Sequence, residues 1–171
     1  MEQLIVFVIS NFTLSFFVLG TVFTMIALSI ASNLNKSRKI RLAFSYFLFF
    51  NIFCSYFVNF IMHVFYGKMA AQFIGWSQSP FQLEVGFASL GFAITGLISV
   101  RAPLAFRATS VISVSAFLWG AAGGHIYQMI TEHNFAPGNA GIIFWTDILI
   151  PVFSLILLWL QYKNPMSKKF I

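Results

Sequence analysis

Residues 110–130 read SVISVSAFLWGAAGGHIYQMI. No Lys, Arg, Asp or Glu interrupts the run. At 1.5 Å per residue, a helix over it is about 30 Å long, the thickness of bilayer hydrocarbon. Its polar residues are not spread evenly. His125 and Gln128 fall near its later end, and Glu132 follows at the same face of the helical repeat. A helix in lipid satisfies its own backbone, but an ionisable side chain on it must find partners on neighbouring helices.

Further apolar runs supply those neighbours. The expected spans are 4–31, 42–66, 80–100, 110–130 and 143–162. The chain of 171 residues is 59% hydrophobic and 8% charged, with 23 Phe; a soluble domain carries roughly 25% charged residues. The composition excludes a water-soluble domain and predicts an all-α, polytopic membrane helix bundle with five transmembrane helices in a single domain over 1–171. The 4–31 run is too long for a secretory signal, and its basic cluster follows rather than precedes it, so it reads as a retained span. Cys54 is the only cysteine and lies within an apolar run, where it reads as a small hydrophobe.

The basic residues orient the bundle. Lys36, Arg38, Lys39 and Arg41 follow the first span, Arg101 and Arg107 the third, and Lys163, Lys168 and Lys169 the fifth. Only Lys68 lies on the other side, so nine of the ten Lys and Arg mark one face. The formal charge of +6 is therefore a topology signal and not a nucleic-acid patch. By the positive-inside rule the N-terminus is expected outside and the C-terminus in the cytoplasm, in a multi-pass protein of a bacterial inner membrane. Expected partners are the lipid bilayer and a homo-oligomer or larger membrane complex, with no nucleic acid.

On these spans the acidic residues and histidines gather towards the outer end. Asn51, Ser55, Asn59 and His63 share one face of span two. Glu84 lies one turn into span three, and Asp147 near the start of span five. Asn11 and Ser15 lie in the outer half of span one. Counted from the span centres, Asn11, Glu84, His125 and Asp147 fall roughly 7–10 Å outside the midplane. A charge at the bilayer centre costs about 2.5–3.5 kcal/mol on insertion scales, so these groups are expected to face the bundle. The ligand-binding candidates are Glu84, His125, His63, Asp147, Gln128, Asn59, Asn11 and Glu132, with Glu84 and His125 foremost. His63, Glu84, His125 and Asp147 are also candidate ligands for Zn²⁺ or Fe, since imidazole and carboxylate both suit those ions. His63 and His125 could span a haem, though no signature supports one. A helix-terminal role for Glu84 and Asp147, where the dipole favours carboxylates, is the structural alternative. Pro151 is expected to free the Asp147 carbonyl.

Local signals complete the reading. Ser79-Pro80-Phe81-Gln82 predicts a capping box with Ser79 as N-cap. Ala136-Pro137-Gly138-Asn139 predicts a type II turn. Gly120 and Gly124 form a GxxxG pair, and Gly91, Thr95 and Ser99 a small-residue stripe; both are expected to pack inside the bundle. Phe73-Ile74-Gly75-Trp76 and Trp145 read as interfacial anchors, the former also able to cover the polar cluster. The stretch Phe44–Phe57 is expected to face lipid and neighbours. No Walker, Rossmann, zincin, nucleophile-elbow or CxxC motif is present.

The segments Trp76-Ser77-Gln78-Ser79-Pro80-Phe81-Gln82-Leu83-Glu84-Val85-Gly86-Phe87-Ala88, Phe117-Leu118-Trp119-Gly120-Ala121-Ala122-Gly123-Gly124-His125-Ile126-Tyr127-Gln128 and Ala136-Pro137-Gly138-Asn139-Ala140-Gly141 resemble a family of small bacterial inner-membrane proteins defined as a domain of unknown function. The resemblance spans residues 72–155. It implies a bacterial multi-span protein with Glu84, His125 and Gln128 in its most recognisable segments. The Glu-then-Gly-rich third span is more loosely similar to DoxX-like membrane proteins, four-helix bundles of which some serve quinone or sulfur redox chemistry. This chain differs from them in its fifth span and its lack of matching cysteines. The leading functional expectation is binding of a metal ion or small polar ligand from the outer side, in transport or sensing. The alternatives are an enzyme or redox protein acting on a lipid or quinone, with His125 as acid or base and Glu84 as its partner, and a structural subunit.

Overall fold

The structure is a computed structural model that describes residues 1–166; Lys168 and Lys169 lie outside the described residues. The described chain is helical throughout its ordered elements: α1 (Glu2–Ser10), α2 (Phe12–Ile30), α3 (Lys36–Phe47), a π-helical segment (Leu48–Cys54), α4 (Ser55–Phe65), α5 (Gly67–Ile74), α6 (Phe81–Ser99), α7 (Leu104–Thr131), α8 (Pro137–Ala140) and α9 (Ile142–Lys163). Five helical stretches are long and apolar enough to cross a membrane: Phe12–Ile30, Lys36–Phe65, Phe81–Ser99, Leu104–Thr131 and Pro137–Lys163.

The expected boundaries shift in two places for a local reason. The second span begins at Lys36 instead of 42, because Asn35 Oδ1 accepts from Arg38 N at 3.0 Å and caps the helix there. The fourth begins at Leu104, directly after Pro103, so Arg107 lies inside a helix and not in a loop. The first span is not continuous. Asn11 breaks it with φ −116° and ψ 43°, and its amide donates to Phe7 O at 2.9 Å.

The core lies where α3, the π segment, α6, α7 and α9 meet. Phe44, Leu48, Ile52, Val111, Val114 and Ile150 form it. The Phe-rich stretch is therefore largely interior at Phe44 and Phe47, with Phe57 exposed. The π segment bulges, and glycines on both flanking helices receive it. A Cβ on Gly20 of α2 would stand 3.0 Å from Phe50 Cβ; one on Gly96 of α6 would stand 2.7 Å from Ile52 Cγ2 and 2.9 Å from Phe53 N. Towards its start, α6 meets α4 through Gly86, where a Cβ would meet Val64. With Ser89 and Ala93, both buried, these glycines make a close-approach seam at i, i+3, i+7 and i+10. The expected small-residue contacts are not the ones used. Cβ atoms on Gly91 and Gly120 would meet nothing within 4 Å, and one on Gly124 only Trp76, at 3.7 Å. Ser99 alone of that stripe is fully buried.

Arg107 closes one end of the bundle, the arginine end. Its side chain is 0% exposed. Nη1 donates to Gln161 Oε1 at 2.9 Å and Arg41 O at 3.4 Å; Nη2 donates to Ser45 Oγ and Val100 O, each at 2.6 Å. The guanidinium also lies 5.2 Å from the Phe44 ring centroid. One side chain thus ties α3, the end of α6, α7 and α9 together.

Candidate functional site

The opposite end of the bundle is closed by chain folded back over it, the cap end. The α5 helix ends at Gly75, whose φ of 78° favours a residue without a Cβ. The reversal lays Trp76 over His125, ring centroids 5.5 Å apart. From the other side comes α8. The expected type II turn is absent: Pro137–Ala140 is one helical turn, and Gly138 has no positive φ. Gly138 is needed for space instead, since its Cβ would stand 2.6 Å from Phe73 Cδ1. Asn134 fastens the two pieces, Nδ2 donating to Ile74 O at 3.0 Å and Gly75 O at 3.2 Å.

Asn139, 0% exposed, is the hub beneath this cap. Its Nδ2 donates to Asn134 O at 2.8 Å and His125 O at 3.2 Å. Its Oδ1 accepts from Trp76 Nε1 at 3.0 Å and faces His125 Nδ1 at 2.8 Å. These partners fix the chemistry. Two carbonyls can only accept and an indole N–H can only donate, so the amide has one possible orientation. Nδ1 of His125 must then be the donor to Oδ1. The remaining ring nitrogen, Nε2, stands 3.5 Å from Asp147 Oδ2.

His125 and Asp147 are 6% and 5% exposed. With Nδ1 donating to Asn139, Nε2 and the carboxyl can hold one proton between them, as imidazolium facing carboxylate or as imidazole facing carboxylic acid. At 3.5 Å the pair is within ion-pair reach but longer than a usual N–H···O hydrogen bond. Among the described residues the Asp147 carboxyl is paired with His125. A buried carboxylate usually gathers several donors. Thr146, beside Asp147, is instead engaged by Thr13 Oγ1 at 2.8 Å and Ile143 O at 2.8 Å. The Tyr56 hydroxyl, buried between α4 and the rings of Phe92 and Phe117, has no hydrogen-bond partner among the described residues.

The other sequence candidates go elsewhere. His63 Nδ1 donates to Gln82 Oε1. That contact uses the Gln82 side chain expected to close a capping box; Ser79 makes no side-chain cap, and the helix starts from the Ser79 and Pro80 carbonyls. Asn59 Nδ2 donates to Ser89 Oγ at 2.9 Å. Asn11 is bonded locally, Glu84 and Glu132 are exposed, and the Gln128 carbonyl receives Glu132 N and Asn134 N as α7 ends. Among the described residues no group of three or more His, Cys, Asp or Glu is arranged to hold a metal ion. His63, Glu84, His125 and Asp147 thus do not form one coordination set; only the last two meet. Asn139 and Arg107 were missed as hub residues, and Trp76 was read only as part of an anchoring segment also able to cover the cluster. The one sequence sign of the first was a concentration of Asn around Pro137.

A family model described as "Family of unknown function (DUF6790)" matches residues 10–167. No curated protein and no solved structure matches, and nothing in these comparisons carries the DoxX-like resemblance.

Proposed function

The chain belongs to this family of unknown function, DUF6790, and we propose that it is a multi-pass protein of a bacterial inner membrane that takes up a proton, or the donor group of a small polar ligand, at the His125–Asp147 pair. The cap end faces outwards and the arginine end the cytoplasm, in keeping with the positive-inside rule. The observation that carries the proposal is the Asp147 carboxyl: nearly buried and met, among the described residues, by the His125 imidazole at 3.5 Å. Isolated ions cost several kcal/mol each to bury. A pair sharing one proton avoids most of that cost and stays sensitive to a donor arriving beside it. Trp76, Asn139 and Asn134 hold the cap over the pair, so ligand entry requires displacement of the 75–80 segment. The four expected metal ligands do not converge on one point.

Tryptophan fluorescence tests this. In a variant with Trp119, Trp145 and Trp159 replaced by Phe, Trp76 reports on the imidazole beside it. In nanodiscs its emission should follow a single pH transition that His125→Gln abolishes and Asp147→Asn shifts. A transition unchanged in both variants would refute the proposal.

A further inference from the structure

Loss of the shared proton sets two acceptors face to face. The Nδ1–H of His125 stays with Asn139 Oδ1 at 2.8 Å, so Nε2 keeps only its lone pair, and Asp147 Oδ2 stands 3.5 Å from it. A carboxylate 5% exposed then needs a donor from elsewhere, because a buried charge without one is strongly disfavoured.

The polar groups around it are spent. Thr146 Oγ1 donates to Ile143 O and is met by Thr13 Oγ1. Asn139 Nδ2 donates to the His125 and Asn134 carbonyls, and Trp76 Nε1 to Asn139 Oδ1. The helices packed on α9 bring no other charge: α2 and α8 carry no ionisable side chain, those of α3 and Arg107 of α7 lie towards the arginine end, and Tyr127 of α7 is exposed.

Tyr56 is the exception. It is the second residue of α4 and 5% exposed, and its hydroxyl has no hydrogen-bond partner among the described residues. Its ring lies 5.2 Å from Phe92 and 6.1 Å from Phe117. It belongs to the same buried cluster as Ile150, which follows Asp147 by about one turn of α9, and the charge of Asp147 reaches the hydroxyl. The other ionisable groups on and around α4 are turned away: His63 is bonded to Gln82, and Lys68 of α5 and Glu84 of α6 are exposed. A buried O–H with nothing to donate to and a buried carboxylate short of a donor are complementary. The chain directly before α4 is π-helical, an interruption frequent at functional sites, so the backbone under Tyr56 is not locked into a regular α ladder. Asn51 Oδ1, within that segment, is likewise unpartnered among the described residues.

We propose that Tyr56 is the third member of the proton site: when the pair gives up its proton, the Tyr56 hydroxyl donates to the Asp147 carboxylate in place of His125. This rests on proton uptake at the His125–Asp147 pair and gives Tyr56 a positioning role, steadying the charged carboxylate until the proton returns.

Tyr56→Phe tests it, since the ring stays and only the hydroxyl goes. In the protein whose one tryptophan is Trp76, in nanodiscs, the midpoint of the emission transition should rise by about one pH unit or more, the scale of one hydrogen bond to a charged group, because only the deprotonated state loses a donor. Thermal melting in detergent supplies a second readout. Below the transition Tyr56→Phe should melt at or above its parent, since an unpartnered hydroxyl has left the core; above the transition it should melt lower. A hydroxyl that matters only for packing would change melting equally at every pH. An unmoved midpoint, or a melting difference independent of pH, would overturn the inference and leave proton uptake at the pair standing. A parent protein with no transition at all would overturn both.

Discussion

At the scale of single residues, two buried polar side chains do most to hold the ends of the bundle. Asn139 satisfies two carbonyls, an indole and an imidazole. Asn139→Ala leaves those groups without it, and each buried group so abandoned costs about 1–3 kcal/mol. The expected result is a clearly lowered melting temperature in detergent and a red-shifted Trp76 emission as the cap loosens. Asn139→Asp should be no better, because its oxygens face two carbonyls that need donors; rescue by Asp would contradict the amide orientation deduced above. Arg107 is the corresponding hub at the other end. Arg107→Lys keeps the charge but loses the planar fork that reaches Gln161, Ser45 and two carbonyls at once. A loss of about 1–3 kcal/mol is expected, measured by thermal unfolding in detergent; a wild-type melting curve would show that the fork geometry is dispensable.

At the scale of elements, close approach and openness divide the glycines. Gly96 admits the π segment, and its Cβ would meet the Phe53 backbone as well as Ile52. Backbone cannot swing aside as a side-chain tip can, so Gly96→Ala should destabilise by about 1–3 kcal/mol, the usual penalty of overpacking. Gly91 and Gly120 meet nothing. Gly91→Ala or Gly120→Ala should change stability little or raise it by about 0.4–1 kcal/mol through the unfolded chain. Parallel melting of the three variants checks the contrast. A periodic stripe of small residues marks where helices can approach; which stripe is used depends on the neighbour. The π segment was also beyond the reach of pattern reading, because the extra residue in its turn is stabilised by the two glycines from distant helices. Without them its sequence, LFFNIFC, reads as ordinary α-helix.

At the scale of the whole molecule, the proposed orientation makes a prediction. In a Cys54→Ser background, Glu132→Cys should react with an impermeant maleimide on spheroplasts and Lys163→Cys only after lysis. The reverse pattern would invert the topology. The five long apolar stretches, their order and the all-helical fold were legible in the chain because they depend on length and local hydrophobicity alone. So was the gathering of His125 and Asp147 at one end, since a helix converts sequence position directly into depth. Periodicity gives depth and face, however, not which faces meet. Glu84 shares the level of His125 and yet points outwards, while Asp147 of the last helix meets the imidazole. Asn139 and Trp76 belong to loop and cap, where no period exists to place them, and Arg107 looked like loop charge until a helix start at Leu104 buried it. The sequence by itself determined what must leave water and how long each apolar helix is, because transfer free energy adds up residue by residue. The tertiary structure alone decided which polar groups are partners, because hydrogen bonds and close glycine contacts depend on distances between helices that no single helix encodes.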